Sequence, residues 1–342
     1  MRRLPAAAGR VDSRGSTTSP PRRAGKNGYV WNLRERHHVE QSFIAWLRGR
    51  QQNLPQVTVG IGDDGAVITP TAGKQIVLAS DGIVDGVDFL SDRHPLAEIG
   101  RKAVTINLSD LAAMGAVPTA MLVNLSLPSE GATQTAAGVY EGMLAIADAF
   151  QLAIAGGDIT VYDGPLAISV TIVGEVAAGR AWLRHGAVDG DAIMVTGAFG
   201  GSLLGRHLSF SPRVREALRI AEAVEVHAAM DVSDGLSLDL DRLCAASGVG
   251  AELEMESIPI HEDAIRIADQ QQGTALEHAL GDGEDFELIL AMSQTDADRL
   301  LATDVGVAVT QIGNFTGRTG LWMRKTGRLE RLSPSGYIHG SN

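Results

Sequence analysis

Hydrophobic and polar positions along the chain switch between helical and strand spacing, which is typical of mixed α/β proteins. Leu96 to Met114 has helical spacing and is followed by the stop signals Gly115 and Pro118. Helices are also predicted around Thr133 to Phe150 and at Val39 to Arg48. The predicted strands around them are Val57 to Ile61, Gly65 to Thr69, Ile76 to Ser80, Ala120 to Leu127, Leu152 to Ala155 and Leu166 to Val176.

A polar, glycine-bearing segment from Gly179 to Gly190 interrupts this pattern and predicts a domain boundary. The second half opens with a strand at Ala192 to Thr196, contains a helix within Asp234 to Ser247 and ends in a hairpin near Trp322 to Leu332. We therefore expect an α+β protein with domains at residues 28–178 and 179–342. Residues 1–27, rich in Pro, Ser, Gly and Arg, are predicted to form a disordered basic tail.

Composition narrows the class of protein. The 342 residues are 44% hydrophobic, enough for two cores, and no apolar run approaches the length of about 18 residues that a membrane span requires. Residues 1–10 lack the apolar centre of a secretory signal. The single cysteine, Cys244, excludes an internal disulfide and lies on the apolar side of a predicted helix, as a packed thiol would. These features predict a cytoplasmic protein without a membrane partner.

The charge distribution bears on the partners. Residues 1–27 carry a net charge of +6 within a total of −12, so the rest of the chain is near −18. An acidic body repels nucleic acid, and it also repels a bare phosphate substrate. We therefore expect no nucleic-acid partner, and any phosphate chemistry requires divalent cations that invert the local field.

Aspartates stand beside glycine or serine where four apolar runs end. The runs are VGIGDDG (Val59 to Gly65), LASDG (Leu78 to Gly82), AGGD (Ala155 to Asp158) and MDVSDG (Met230 to Gly235). A fifth acid, Asp110, lies inside an apolar helix, where a charge needs a partner or a metal. This pattern predicts a magnesium-nucleotide site. Two alternatives stay open: Asp-Gly pairs also form turns, and Asp110 could pair with Arg101 or Lys102.

Familiar nucleotide motifs do not account for these runs. GIGDDG matches the dinucleotide pattern G-x-G-x-x-G, but a strand follows it instead of a helix, and its two acids would repel a pyrophosphate. No G-x-x-x-x-G-K-[ST] motif occurs. GAFGGS, from Gly197, could bind phosphate, although a tight turn is the simpler interpretation. Asp63 could cap its own loop.

Taken together, the motifs carry a family resemblance. In order and spacing, seven runs resemble the thiamine-monophosphate kinase family of the aminoimidazole ribonucleotide synthetase-like superfamily. They are GIGDDGAVI, SDGIVDGVDF, AVTINLSDLAAMGAVPTAM, AIAGGD, VTGAFGGS, MDVSDGLSLDLDRL and GDGEDFEL. The resemblance covers Val39 to Tyr337. It implies an N-terminal domain that dimerises through its sheet and a C-terminal α+β domain. It also implies in-line transfer of the ATP γ-phosphate to thiamine monophosphate with several Mg²⁺ ions.

The same resemblance implies roles for individual residues. Those that match metal ligands are Asp64, Ser80, Asp81, Asp110, Asp158, Asp231 and Asp234. The ATP contacts are Tyr140, Gly157, Asp158, Arg184 and Ser233, and the residues closest to catalysis are Asp110, Asp231, Asp234 and Arg184. All these acids are expected to converge in one cradle. Arg184 is expected to stabilise charge on the transferring phosphate.

The substrate side departs from the family pattern. Glu284 matches a substrate contact, but Asp88 stands where the family has histidine and Pro334 where it has an aromatic residue. Trp322 or Tyr337 could replace that ring or belong to the core. Two other functions therefore remain: a sister ATP-dependent synthetase, or a homologue that binds nucleotide or metal without turnover.

Overall fold

The structure is a computed structural model that describes residues 43–50, 54–270, 273–325 and 327–338. The predicted tail, residues 1–27, lies outside the described residues, as does the start of the helix predicted at Val39 to Arg48; residues 43–48 are helical. The predicted α+β class with two domains is confirmed. Among the described helices, none has the length and apolar character needed to cross a bilayer.

The N-terminal half is built on a four-stranded sheet with two helices on one face. The helices are α1 (Leu96–Ala113) and α2 (Ala132–Phe150). The strands lie in the order β3 (Lys74–Val84), β6 (Ala167–Ala177), β4 (Val117–Pro128) and β5 (Ala153–Tyr162). A small hairpin of β1 (Val57–Val59) and β2 (Val67–Ile68) packs on the other face, which we call the outer face.

Two glycines allow α1 and α2 to touch backbone to backbone. A Cβ built on Gly100 would lie 1.9 Å from the Val139 carbonyl oxygen, and one on Gly142 would lie 1.7 Å from the Ala97 carbonyl oxygen. Real Cβ atoms do not approach so closely, so only glycine permits this contact. The position of α1 is therefore fixed by α2.

The C-terminal half contains a seven-stranded sheet, ordered β13-β12-β9-β11-β7-β10-β8. Its strands are β7 (Ala192–Thr196), β8 (Ala228–Asp231), β9 (Gly250–Glu254), β10 (Leu288–Met292), β11 (Val309–Thr316), β12 (Gly320–Lys325) and β13 (Arg328–Leu332). The helices are α3 (Arg206–Ser209), α4 (Val214–Ala223), α5 (Leu236–Ser247), α6 (Glu262–Gln270), α7 (Ala275–Gly281) and α8 (Gln294–Leu301).

The two halves meet along α1, which packs against β8 and α4. Arg101 donates hydrogen bonds to the carbonyl oxygens of Leu208 and Phe210. The Ser109 hydroxyl donates to Asp231 Oδ2 at 2.6 Å. Because most of α1 is buried, it forms the shared wall between the domains.

Two strands continue through the motifs that were predicted to end them. β3 includes Ser80 and Asp81, and β5 includes Gly157 and Asp158. β6 pairs with β3 residue by residue from Lys74 to Val84, so its backbone hydrogen bonds carry the strand past the Asp-Gly turn signal. The prediction that these acids follow strand ends was therefore wrong.

Candidate active site

Three acids from different elements meet at the joint between the domains. Asp81 comes from β3, Asp110 from the last turn of α1 and Asp231 from the end of β8. The carboxyl groups of Asp81 and Asp110 share a hydrogen bond, which requires a proton on one of them. The side-chain oxygen of Asn107 accepts the backbone N–H of Asp81 at 3.0 Å, which ties β3 to α1. We call Asp81, Asp110, Asp231 and the neighbouring Asp234 the inner acids.

Crowding and burial make the carboxylates of Asp110 and Asp231 poor anions without a cation. Burial raises the pKa of Asp110 to about 8, and the charges of Asp231 and Asp81 add to the rise. Burial also raises the pKa of Asp231 to about 6, against the hydrogen bond from Ser109. The pKa of Asp81 is raised chiefly by burial. A cation among the inner acids would relieve this electrostatic penalty.

Arg184 supplies one positive charge to this group. It lies in the segment between β6 and β7 and, with Asp110 and Asp231, lines a cavity of about 340 Å³ that Trp182 helps to enclose. Its guanidinium acts to lower the pKa of both acids. The structure thus brings together three of the four residues expected to be closest to catalysis.

The fourth, Asp234, lines a neighbouring cavity of about 380 Å³, which we call the acceptor cavity. Asp81, Asp88, Ser233 and Glu284 line it as well. Its apolar lining includes Ile83, Phe286 and Tyr337. The cavity lies between the end of β3 and two loops of the C-terminal domain, so both domains contribute to it.

The loop that carries Ser233 and Asp234 is held by an acid that the sequence analysis missed. Asp239 Oδ2 accepts the backbone N–H groups of Ser233, Asp234 and Gly235 at 3.0, 2.9 and 3.2 Å. Arg242 bonds the carboxylates of both Asp239 and Asp234. An acid four residues after Gly235, in the first turn of a helix, was the available signal.

The remaining predicted acids lie elsewhere. Asp64 and Asp158, with Gly157 and Tyr140, line a groove of about 860 Å³ beside β5. Strand register explains the separation. Asp158 pairs with Asn124, Asn124 with Ser169 and Ser169 with Gly82, and paired residues share a face. Asp81, one residue from Gly82, therefore faces the helices, whereas Asp158 faces outward.

Ser80 belongs with this outer group, since its hydroxyl contacts Thr171, which lines the same groove. We call Asp64 and Asp158 the outer acids. Within one chain the structure does not bring inner and outer acids into the single cradle expected from the sequence. The alternation of side chains along β3 and β5 is the physical reason.

The inner acids suit Mg²⁺ by their chemistry. Magnesium prefers oxygen ligands and is held by one or two carboxylates together with substrate phosphates and waters. Across the described ranges, no three His, Cys, Asp or Glu side chains converge closely enough to hold a metal by themselves. The residues therefore fit an ion shared with a phosphate and do not form a closed cage.

The residues predicted to contact the substrate, or to replace the missing ring, differ in whether they line a cavity. Pro334 is exposed and lines neither cavity, whereas Tyr337 lines the acceptor cavity. Trp322 lies under Arg318, with its ring centroid 4.7 Å from the guanidinium carbon. The Asp88 carboxylate accepts the backbone N–H of Val84 at 2.7 Å. Of Pro334, Trp322 and Tyr337, only Tyr337 lines the acceptor cavity, where Phe286 lies as well.

Several open alternatives are decided by contacts. Arg101 and Lys102 bond other groups, so neither is the partner of Asp110. In GAFGGS the N–H groups of Gly200 and Gly201 are occupied by Asp285 and Asp282, which favours a structural turn.

Two smaller expectations are also met. Asp63 Oδ1 accepts the N–H of Asp64, as a cap of its own loop would. Cys244 is buried, and burial raises the pKa of its thiol to about 12, so it is a core residue.

Comparison with known proteins identifies the family. The family described as AIR synthase related protein matches with its N-terminal domain over residues 62–176 and with its C-terminal domain over residues 185–323. A thiamine-monophosphate kinase from Rhodopirellula baltica is 54% identical over 310 residues, which cover 88% of this chain and 98% of that protein. The chain belongs to the thiamine-monophosphate kinase family. The predicted enzyme class, a kinase, is confirmed with it.

Solved structures agree with this family. Thiamine-monophosphate kinase from Stenotrophomonas maltophilia has a TM-score of 0.71 at 33% identity, over 82% of this chain and 95% of that one. AaThiL complexed with AMPPCP and TMP has a TM-score of 0.70 at 26% identity, over 89% of this chain and 98% of that one. The hydrogenase maturation protein HypE from Escherichia coli, at 20% identity, shares the fold.

Proposed function

We propose that this chain transfers the γ-phosphate of ATP to the phosphate of thiamine monophosphate, giving thiamine diphosphate and ADP. The observation that carries the proposal is the meeting of Asp81, Asp110, Asp231 and Arg184 at the domain joint of a chain from this family. Both substrates are anions, and acids crowded beside one arginine are the arrangement that cation-assisted phosphoryl transfer uses.

The residues present supply positioning and charge. The acceptor phosphate has a second pKa near 6, so it is largely ionised at neutral pH and needs no general base. Arg184 binds the transferring phosphate and stabilises the charge spread over its oxygens during in-line attack. The inner acids would hold several Mg²⁺ ions, which neutralise the phosphates of both substrates when bound. Asn107 and Ser109 orient Asp81 and Asp231.

The acceptor cavity suits the organic part of thiamine monophosphate. Glu284 and Asp88 place negative charge where a thiazolium cation would lie, and Phe286 and Tyr337 add apolar surface. The loss of the family histidine at Asp88 and of the aromatic residue at Pro334 leaves this cavity intact. We therefore propose that the acceptor is unchanged, with Tyr337 in place of the missing ring.

The outer acids enter this proposal through a homodimer. Within the described part of the chain, β3 and β5 are the two edges of the four-stranded sheet. They are 11 and 10 residues long, and sheet edges of matched length favour pairing with a second copy. Pairing of β3 with the β5 strand of a second copy would bring its Asp158, Gly157 and Tyr140 to the outer side of β3, which carries Ser80, one residue away from Asp81. In this arrangement the ATP contacts come from both copies.

A direct assay tests the reaction. Purified protein with Mg²⁺ and ATP should convert thiamine monophosphate to thiamine diphosphate, with one ADP released per product, measured by chromatography. Thiamine, which lacks the acceptor phosphate, is the matched control and should release no ADP above background. ATP binding without turnover would instead favour a non-catalytic homologue, and turnover of another acceptor would favour a sister synthetase.

We also propose a cytoplasmic location, in keeping with the buried free thiol of Cys244.

A further inference from the structure

Lys102 is a buried lysine that the mechanism above does not use. Its side chain is 1% exposed, although a buried ammonium is costly unless it is paired and fully hydrogen-bonded. Its Nζ donates to the Asp88 carbonyl oxygen at 2.8 Å and to the two carboxylate oxygens of Glu284 at 2.8 and 2.9 Å. An ammonium has three N–H donors, so none is left for a phosphate.

These bonds join the two domains across the wall of the acceptor cavity. Asp88 belongs to the segment after β3, and Glu284 to the loop before β10. Glu284 has a φ of 53°, an uncommon value for a residue with a side chain. Its backbone N–H donates to the Ser233 carbonyl oxygen at 2.7 Å, which holds this strained backbone in place. Lys102 then sets the direction of the Glu284 carboxylate.

The charges around the cavity indicate what this carboxylate would meet. Lys102 is the one cation among the described residues that line the acceptor cavity. Five carboxyl groups share the lining with this one ammonium, so before any Mg²⁺ binds the lining has an excess of negative charge. Such a surface favours an organic cation over a bare anion. The carboxyl groups in the lining are those of Asp81, Asp88, Asp234, Asp282 and Glu284.

We propose that Lys102 is a positioning residue for the acceptor, which holds Glu284 and the Asp88 segment so that the Glu284 carboxylate faces the cationic ring. This inference rests on the proposed function and adds a residue to it. Lys102 does not touch the acceptor phosphate in this arrangement, so its effect should be confined to acceptor binding and should pass through Glu284.

The test is a double-mutant cycle of Lys102→Met and Glu284→Gln, with KM measured separately for thiamine monophosphate and ATP. Lys102→Met should raise the acceptor KM by about tenfold or more and leave the ATP KM within about twofold. In the Glu284→Gln background the same change should alter the acceptor KM by less than about twofold, because the group it orients is gone. Equal effects on both substrates, or effects that multiply, would overturn the proposal.

Arg101→Met is the matched control, since Arg101 is the adjacent residue of α1 and also joins the domains, but it bonds Leu208 and Phe210 away from the cavity. It should leave the ratio of the two KM values unchanged. If Lys102→Met does not fold, Lys102→Arg serves instead: it keeps the charge and changes the donor geometry. Its acceptor KM should rise by about threefold or more, and a wild-type value would contradict the proposal.

The outcomes separate this inference from the proposed function. A wild-type protein that neither binds thiamine monophosphate by calorimetry nor phosphorylates it would overturn the function itself. A wild-type protein that does both, with Lys102 variants that behave like Arg101→Met, would overturn only the role of Lys102.

Discussion

The inner and outer acids occur in similar sequence contexts and lie in different surroundings. Asp81 and Asp158 both follow an apolar run and stand next to or near glycine, and both lie within strands of the same sheet. Asp81 faces the helices and bonds Asp110, whereas Asp158 opens onto the outer groove. The face of the sheet, which strand register sets, therefore decides which acids share a site within one chain.

The largest loss of activity is expected when one of the inner acids is neutralised. Asp110→Asn should lower kcat for thiamine monophosphate phosphorylation by about 10³-fold or more, because it removes a charge at the centre of the group. The melting temperature should not fall, since Asp110 without a bound metal is already protonated below about pH 8, and a neutral asparagine can keep a hydrogen bond to Asp81. A variant that keeps kcat within about tenfold of the wild type would show that the inner acids are not the reaction centre.

The second test asks whether the outer acids act across a dimer. Asp158→Asn should also lower activity, by about 10²-fold. A heterodimer of one Asp110→Asn chain and one Asp158→Asn chain, isolated with two affinity tags, should recover about half of the wild-type activity, because one of its two shared sites has neither change. The matched control is the Asp110→Asn homodimer carrying the same tags. No recovery in the heterodimer would place both acids in the site of a single chain.

The third test uses the pH dependence of stability in metal-free protein. The folded protein holds the Asp110 proton up to a pKa of about 8, whereas the unfolded chain releases it near the ordinary value of 3.8. The free energy of unfolding should therefore decrease between about pH 4 and pH 8, by at most about 1.4 kcal/mol per pH unit for one group. Urea denaturation with a chelator present measures it.

Variants separate the two groups of acids in that experiment. Asp110→Asn should have a shallower slope than the wild type, and Asp158→Asn should keep the wild-type slope. If wild-type and Asp110→Asn curves ran parallel from about pH 4 to about pH 8, the proton would not reside on Asp110.

The smallest effect comes from two neighbours in β3. Ser80 belongs to the outer face and Asp81 to the helix-covered face, although they are adjacent in the sequence. Ser80→Ala should raise the ATP KM by about threefold and lower kcat by less, because only a hydroxyl that contacts Thr171 beside the groove is lost. Asp81→Asn is the matched comparison and should lower kcat by about 10²-fold. Equal losses in both variants would remove the distinction between the faces.

Local sequence signals predicted helices and strands well where the position of an element does not depend on how its strand pairs with a distant strand. The apolar spacing and the stop signals marked α1 to within one residue, and β7 was placed at its observed ends. The inner acids were found because Asp110 is an acid in an apolar helix and Asp231 ends an apolar strand. The family resemblance added Arg184, which no local pattern distinguishes from a surface arginine.

The remaining features depend on contacts between residues far apart in the chain. Which of Ser80 and Asp81 faces the helices follows from the pairing of β3 with β6, about 90 residues later. Lys102 was considered only as a partner for Asp110 in its own helix, while its partner Glu284 lies 182 residues away. Asp239 was missed because its bonds to three backbone N–H groups exist only once the loop has folded.

The glycine contact between α1 and α2 has a practical consequence for engineering this protein. A single methyl group added at Gly100 or Gly142 would act as a wedge between the helices and push α1 outward. α1 carries Lys102, Ser109 and Asp110, so the displacement would move several residues of the domain joint and the acceptor cavity at once. Sequence libraries that vary α2 should therefore keep both glycines, even though neither lines the two cavities at the domain joint.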